Sequence, residues 1–302
     1  MGSGPEKQGS DAALSDLRQR GFDLIRPARQ RVPFVFASPH SGRVYPQSFV
    51  ASSRLGAISL RRSEDAFVDR LFASVCSLGA PVIAARFPRA FLDVNRSPSE
   101  LDPAMFDGPL ALPFDTASAR VNAGLGVIPR IVRDGAEIYR AKLPAREAPE
   151  RIAQFYRPYH AALSALIEET KREFGIAILI DCHSMPSAAA VPDIVLGDRY
   201  GMSATHMLIR GAERAFEQSA FTVARNVPYA GGYTTHLYGR PMLGVHAMQI
   251  EINRALYLDE DRIEPSAHFD DVESRIAEAL HALTMIEPAL VRGPRSVPWA
   301  AE

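Results

Sequence analysis

The feature that most constrains the fold is a series of short apolar runs that alternate with longer amphipathic segments. In the clearest example, apolar side chains recur at helical spacing from Ile152 to Phe174. After Gly175 they are followed by the apolar run from Ile176 to Ile180. Such spacing predicts a helix, and a continuous apolar run predicts a strand that is covered on both faces. Strands that alternate with helices are typical of a mostly parallel sheet.

The same alternation extends over most of the chain. It predicts strands at residues 34–37, 81–87, 91–94, 176–184, 194–196, 221–224 and 247–252. It predicts helices that begin near Ser63 and that span residues 152–174, 203–218 and 270–285. We therefore expect an α/β protein with a mixed, mostly parallel central sheet and helices on both of its faces.

The domain organisation follows from composition along the chain. We interpret residues 1–30 as a polar N-terminal segment and residues 31–302 as a single catalytic α/β domain. Within that domain, residues 97–146 are rich in Pro and Gly and show little periodicity. An irregular stretch of that length in a compact domain often forms the wall of a pocket.

Composition and charge argue against several classes of function. Of the 302 residues 47% are hydrophobic and 23% charged, and the formal net charge is −1, which indicates neither nucleic-acid binding nor a polybasic membrane patch. The two cysteines, Cys76 and Cys182, provide no disulfide framework and no CxxC zinc pair. No apolar run approaches the roughly 20 residues that span a bilayer, and no signal peptide is recognisable. We expect a cytoplasmic protein, and the oligomeric state stays open.

Polar side chains cluster where four of the predicted strands end. Ligands of open α/β sheets bind at the carboxyl ends of the strands, so these clusters are candidates for one site. Folding alone explains them poorly, because a buried charged group costs free energy unless it is paired or binds a metal. The clusters are His40, the group Asp93, Asn95 and Arg96, the pair Asp181 and His183, and the pair Glu251 and Asn253.

Two histidines at these strand ends are candidate metal ligands. Asp181 and His183 project from the same face, because side chains in a strand repeat every two residues. His40 follows the first buried strand in the turn SPHSG. A carboxylate at the start of the next helix, Asp65 in preference to Glu64, completes a ligand set that suits catalytic zinc. The alternatives are a hydrogen-bonded core histidine, a turn cap, and acids that only balance a helix dipole.

Glu251 is the candidate general base. It lies in the apolar segment MQIEINRALYL, where burial raises the pKa of an unpaired carboxyl toward the range that suits proton transfer. A buried salt bridge with Arg254 or another arginine is the alternative.

Asn95 and Arg96, at the end of FLDVNR, are the candidate partners of a substrate carboxylate. A guanidinium group matches a carboxylate through two parallel hydrogen bonds, and the neighbouring amide can hold a second oxygen. A structural pair between Arg96 and Asp93 is the alternative. Two Gly-containing loops that can close over a substrate add three further candidates, which are Arg130, His236 and Arg240.

Seven sequence strings, spread in order over residues 32–260, together resemble the N-formylglutamate amidohydrolase family. The strings are SPHSGRVYP, EDAFVDRLF, FLDVNRSPSELDP, GLGVIP, DCHSMP, GGYTTHLYG and QIEINRALYL. The resemblance implies hydrolysis of N-formyl-L-glutamate to formate and L-glutamate, a late step of histidine degradation. The expected substrate is accordingly a small anionic N-acyl amino acid.

The same resemblance implies a zinc exopeptidase-like fold that holds one Zn²⁺ or another divalent ion. It assigns His40 and His183 as metal ligands, Asn95 and Arg96 as a carboxylate clamp, and Glu251 as the base. The HxxE spacing of zinc carboxypeptidases is absent after His40, so the carboxylate ligand must come from elsewhere. Asp65 is the candidate.

Three rival functions remain at this point. The first is a zinc deacylase that acts on another N-acyl or N-formimino amino acid. The second is a serine hydrolase that uses Ser184 or Ser41, although no GxSxG motif surrounds either serine. The third is a non-catalytic amino-acid binding protein on the same fold, which predicts binding without turnover.

Overall fold

The computed structural model describes residues 11–115, 117–132, 135–188 and 191–291. Its strands are β1 (Phe22–Ile25), β2 (Phe34–Ser38), β3 (Val82–Ala85), β4 (Phe106–Asp107), β5 (Leu143–Pro144), β6 (Ala177–Met185), β7 (Ile194–Gly197), β8 (Val223–Arg225), β9 (Val245–Asn253), β10 (Leu258–Asp259) and β11 (Glu264–Pro265). Its helices are α1 (Ala12–Gln19), α2 (Gln47–Ser52), α3 (Ala57–Arg61), α4 (Val68–Leu71), α5 (Val75–Leu78), α6 (Ala119–Asn122), α7 (Glu147–Arg151), α8 (Arg157–Phe174), α9 (His206–Gln218), α10 (Tyr233–Tyr238), α11 (Phe269–Thr284) and α12 (Pro288–Val291). A π-helical turn, Ile152–Tyr156, joins α7 to α8.

Seven of the strands form one sheet in the order β1-β3-β2-β6-β9-β7-β8. The pairs β3–β2, β2–β6, β6–β9 and β7–β8 are parallel, and the pairs β1–β3 and β7–β9 are antiparallel. The mixed, mostly parallel sheet is thus confirmed. β6 and β9 pair from Ala177 opposite Val245 to Met185 opposite Asn253, and all residues of both strands are buried. The carboxyl ends of β2, β6 and β9 therefore lie side by side.

Alternate residues of the central strands pack into two separate apolar layers. On one face, Ile178, Ile180 and Cys182 of β6 pack in the layer formed with α4, α5, α9 and α11. On the other face, Ala177 and Leu179 pack in the layer formed with α1 and α8. Helices thus cover both faces of the sheet, as expected for an α/β fold, and Cys182 is a core residue.

Two local predictions are wrong. The segment Phe91–Val94 is buried but forms turns instead of a strand. The reason is that its backbone forms a hydrogen bond with a loop: the Asp93 amide donates to the Val127 carbonyl at 2.8 Å. The helix expected from Ser63 is replaced by the short helices α4 and α5. Phe67 has a left-handed backbone with φ of 63°, and α4 begins only after it.

The N-terminal segment contains more regular structure than its polar composition predicts. α1 buries Leu17 completely, and β1 pairs with β3 at the edge of the sheet. Residues 1–10 lie outside the described part of the chain.

The Pro- and Gly-rich stretch 97–146 is mostly irregular, as predicted. Arg120, Leu125 and Ile131 from this stretch line a cavity at the carboxyl ends of the central strands. Within the described ranges, no helix is both long enough and apolar enough to cross a membrane.

Candidate active site

A cavity of about 480 Å³ lies where β2, β6 and β9 end. His40 reaches it from the turn after β2, His183 from β6 and Glu251 from β9. Asn95 enters from the loop after β3. The polar clusters that the sequence marked therefore converge on one cavity, although the second cluster, Asp93, Asn95 and Arg96, lies on a loop instead of a strand.

His40, Asp65 and His183 form a compact buried group in this cavity. Their potential ligand atoms all lie within 4.8 Å of one another. The Oδ2 atom of Asp65 is 2.9 Å from Nδ1 of His183 and 3.4 Å from Nδ1 of His40. The chain brings the acid there directly, because the Asp65 amide donates to the His40 carbonyl at 3.0 Å. Three potential ligand atoms, one oxygen and two nitrogens from separate parts of the sequence, thus face one point.

Both imidazoles are oriented from behind by carboxylates. Nε2 of His40 lies 2.7 Å from Asp93 Oδ1, and Nε2 of His183 lies 2.9 Å from Asp181 Oδ2. A carboxylate accepts a hydrogen bond from the protonated ring nitrogen that it contacts, which leaves the other nitrogen unprotonated and able to act as a ligand. Nδ1 of His40 is buried and has no hydrogen-bond partner among the described residues. These residues therefore fit a divalent cation such as zinc.

The charges of the site also favour a cation. Burial alone raises the pKa of Asp65, but the hydrogen bond with His183, the neighbouring His40 and the charge of Arg254 hold it well below its ordinary value. Burial lowers the pKa of His183, yet the carboxylates of Asp181 and Asp65 raise it well above its ordinary value. The site thus favours positive charge, and a bound cation would take the place of the imidazole proton.

Glu64, the other candidate acid, points to a different partner set. Its side chain accepts hydrogen bonds from the Tyr45 hydroxyl at 2.7 Å and from Nε of Arg61 at 3.1 Å. Asp65 receives a hydrogen bond from Nη2 of Arg254 at 2.8 Å on the oxygen that does not face the histidines. The geometry therefore favours Asp65 as the carboxylate of the group.

Glu251 lies opposite His183 in the β6–β9 pair and is only 7% exposed. Burial raises its pKa to about 7, against the lowering effect of the His183 charge. The alternative prediction was a salt bridge with Arg254, but Arg254 donates to Asp65 and to Ser184 Oγ. Among the described residues the structure shows no ion pair of Glu251. A carboxyl group with this pKa is suited to proton transfer near neutral pH.

Asn95 and Arg96 both line the cavity, but their contacts differ. Nδ2 of Asn95 donates to Asp181 Oδ2 at 3.1 Å, and its Oδ1 accepts the Thr234 amide at 2.7 Å. Arg96 donates to the Leu125 carbonyl at 3.0 Å and to the Asn95 carbonyl at 2.8 Å. Asn95 thus supports the Asp181 carboxylate that holds His183, whereas the Arg96 guanidinium lies on the cavity wall.

Three predicted substrate residues are not on the wall of this cavity. Arg130 lies 3.5 Å from Asp102 and 3.6 Å from Glu137, and it faces a different cleft. His236 and Arg240 are exposed. Arg240 donates to the His236 carbonyl at 2.7 Å.

Four other arginines line the cavity and were missed by the sequence reasoning. The sequence shows arginines near the motifs of the site, but it gives no information on the direction in which a loop side chain points. They are Arg62, Arg89, Arg120 and Arg254.

The Gly-rich loop after β8 forms part of the cavity wall through residues 228–232. A Cβ atom on Gly232 would lie 2.5 Å from Nδ2 of Asn95, closer than atoms can approach. Gly231 has φ of 120°, which side chains disfavour. Glycine is needed here because the backbone contacts the site directly.

Comparisons with known proteins place this chain in a family. The sequence model of a family described as N-formylglutamate amidohydrolase matches residues 32–258. N-formylglutamate deformylase of Pseudomonas aeruginosa is 31% identical over 271 residues, which cover 86% of this chain and 93% of that protein. The corresponding deformylase of Pseudomonas putida is 28% identical over 257 residues, which cover 80% and 87%.

A solved structure agrees with the sequence matches. The crystal structure of N-formylglutamate amidohydrolase from Ralstonia eutropha JMP134 superposes with a TM-score of 0.82 at 35% identity, covering 90% of this chain and 98% of that chain. The chain therefore belongs to the N-formylglutamate amidohydrolase family.

Proposed function

We propose that this protein hydrolyses N-formyl-L-glutamate to formate and L-glutamate with the help of one divalent cation. The observation that carries the proposal is the buried group of His40, Asp65 and His183 next to Glu251 at the end of a cavity. The named activity of relatives that are 31% and 35% identical supports the same reaction.

His40, Asp65 and His183 would hold the cation. When bound, zinc acts as a Lewis acid that polarises a carbonyl group and lowers the pKa of water. Asp93 and Asp181 keep the two imidazoles in the tautomer that presents Nδ1 to the cation. Arg254 holds the far oxygen of Asp65 and so fixes the direction of the carboxylate.

Glu251 moves the proton. Its carboxylate takes a proton from the attacking water and then delivers it to the amine of the leaving glutamate. A pKa of about 7 lets the same group act first as a base and then as an acid.

Arginines on the cavity wall bind the two carboxylates of the substrate. Nε of Arg89 donates to Asp93 Oδ2 at 2.9 Å. Nη1 of Arg120 lies 3.9 Å from Glu100 Oε1, and 43% of the Arg120 side chain is exposed. Together with Arg96 these guanidinium groups give the cavity an anion-binding side that matches a dicarboxylate.

The test combines metal analysis with a formate-release assay. We expect about one divalent ion per chain after loading with zinc, formate release from N-formyl-L-glutamate, and loss of turnover after chelation that is reversed by zinc. A panel of other N-acyl and N-formimino amino acids separates the deformylase from a deacylase of different specificity. Binding without turnover by the metal-loaded protein contradicts the proposal.

The serine hydrolase alternative has no support in the site. The Ser184 hydroxyl accepts from Arg254 at 3.1 Å, and the Ser41 hydroxyl lies 2.7 Å from that of Ser38. Within the described ranges, neither hydroxyl is hydrogen-bonded to a histidine. Full activity of the chelated protein would revive this alternative.

A further inference from the structure

Gln249 is a buried amide that contacts Glu251 directly. The two residues are separated by one position on β9, so their side chains lie on the same face of the sheet. Nε2 of Gln249 donates to Oε1 of Glu251 at 2.6 Å, and Gln249 is only 5% exposed. The contact is therefore short and shielded from water.

The direction of the Gln249 amide is fixed by a backbone donor. Its Oε1 atom accepts the amide N–H of Gly232 at 2.7 Å. A backbone N–H only donates, so the amide oxygen must face Gly232 and the NH₂ group must face Glu251. The Gly232 amide is held in this direction, because Gly232 packs against Asn95 and the Thr234 amide donates to Oδ1 of Asn95.

On the neighbouring strand β6 a supporting residue also lies two positions before the functional side chain, but there it accepts the hydrogen bond instead of donating it. Asp181 lies opposite Gln249 and His183 lies opposite Glu251 in the β6–β9 register. On β6 the acceptor Asp181 holds Nε2 of His183 and leaves Nδ1 toward Asp65. On β9 the donor Gln249 holds Oε1 of Glu251 and leaves Oε2 available for the reaction. Each strand thus carries a supporting residue two positions before the residue that acts.

We propose that Gln249 is a positioning residue for the Glu251 base, an inference that rests on the proposed function. With Oε1 held by the amide, Oε2 is the oxygen that takes the proton from water. The amide is neutral, so it orients the carboxylate without adding charge to the site.

The first experiment replaces the amide in the metal-loaded protein. Gln249→Met keeps a side chain of similar length but removes both hydrogen bonds. We expect kcat to fall about 10- to 100-fold, because displacement of a catalytic group by about 1 Å has such an effect. KM stays within about twofold and zinc content is unchanged, because neither the arginines nor the ligands are altered. Gln30→Met is the matched control, since Gln30 bonds Val32 and Phe34 away from the cavity.

A second variant covers the case in which Gln249→Met does not fold. Gln249→Glu keeps the length of the side chain and an oxygen for the Gly232 amide, but it replaces the donor that faces Glu251. We expect kcat to fall at least as far as in the Met variant. Wild-type kcat in a folded Gln249→Glu protein overturns the inference.

A double-mutant cycle distinguishes positioning from a general structural role. In a Glu251→Gln background, Gln249→Met should cause no further loss of kcat, because the group that it orients is already gone. An equal loss in both backgrounds, or wild-type kcat in Gln249→Met, overturns the inference and leaves the proposed function intact. Absence of formate release by the wild-type protein overturns the proposed function itself.

Discussion

The two ends of the cavity are built from different kinds of structure. At the metal end, His183 and Glu251 lie on β6 and β9, which pair over their whole length and are buried throughout. At the arginine end, Arg89 and Arg96 lie on an irregular segment after β3, and Arg120 lies on the four-residue helix α6. Two of the proposed catalytic groups, His183 and Glu251, are thus on paired strands, whereas the arginines proposed to bind the substrate are on segments that can vary.

Asp93 connects the two ends. Its Oδ1 atom is 2.7 Å from Nε2 of His40, and its Oδ2 atom accepts from Nε of Arg89 at 2.9 Å. Burial raises the pKa of Asp93, but the charges of His40, Arg96 and Arg89 keep it well below its ordinary value. A single ionised carboxylate therefore contacts a proposed metal ligand on one side and a proposed substrate-binding arginine on the other.

The largest expected effect is at the metal end. His183→Gln should reduce zinc content and lower kcat/KM by about 10³-fold or more, because one of the three proposed ligands is lost. His236→Gln is the control, because His236 is exposed and not on the cavity wall. Retention of zinc and activity by His183→Gln would remove this histidine from the ligand set.

The second-largest expected effect, also at the metal end of the cavity, distinguishes the chemical step from metal binding. Glu251→Gln should lower kcat by about 10²- to 10⁴-fold while zinc stays bound, because the amide cannot accept a proton. Glu64→Gln is a matched control, since Glu64 is buried against Tyr45 and Arg61. Near-normal turnover of Glu251→Gln would exclude its role as the base.

The contrast between the two ends also explains what the sequence can predict. The period of a strand fixes the direction of every second side chain, so Asp181, His183 and Glu251 were found from an apolar run with polar residues at its end. A loop has no such period. Gly-containing loops suggested Arg130 and Arg240, which the structure places off the cavity, and gave no indication of Arg120. Which loop side chain faces the cavity depends on packing between segments that are distant in the sequence.

A change at the arginine end should affect binding more than chemistry. Arg120→Gln is expected to raise KM about 10-fold and to leave kcat within about twofold, because a partly exposed guanidinium contributes one charged contact. Zinc content should not change. Arg130→Gln is the control, being paired with Asp102 and Glu137 outside the cavity. A fall in kcat without a change in KM would contradict the division between the two ends.

The smallest effect on activity concerns a histidine at the amino end of β9. His246 is fully buried, and neither ring nitrogen has a hydrogen-bond partner among the described residues, in contrast to the carboxylate-supported His183. Burial lowers the pKa of His246 from 6.5 to about 4. Between these values the unfolded chain binds a proton that the folded protein does not, so the free energy of unfolding decreases as the pH falls. For this group the decrease from pH 7 to pH 5 is about 2 kcal/mol.

Denaturant unfolding at pH 7 and pH 5 measures that dependence. His246→Leu should lack about 2 kcal/mol of the loss that the wild-type protein shows between the two pH values, with kcat unchanged at pH 7. His281→Leu is the control, because it makes the same replacement at an exposed position on α11. An unchanged pH dependence in His246→Leu would mean that this imidazole is paired.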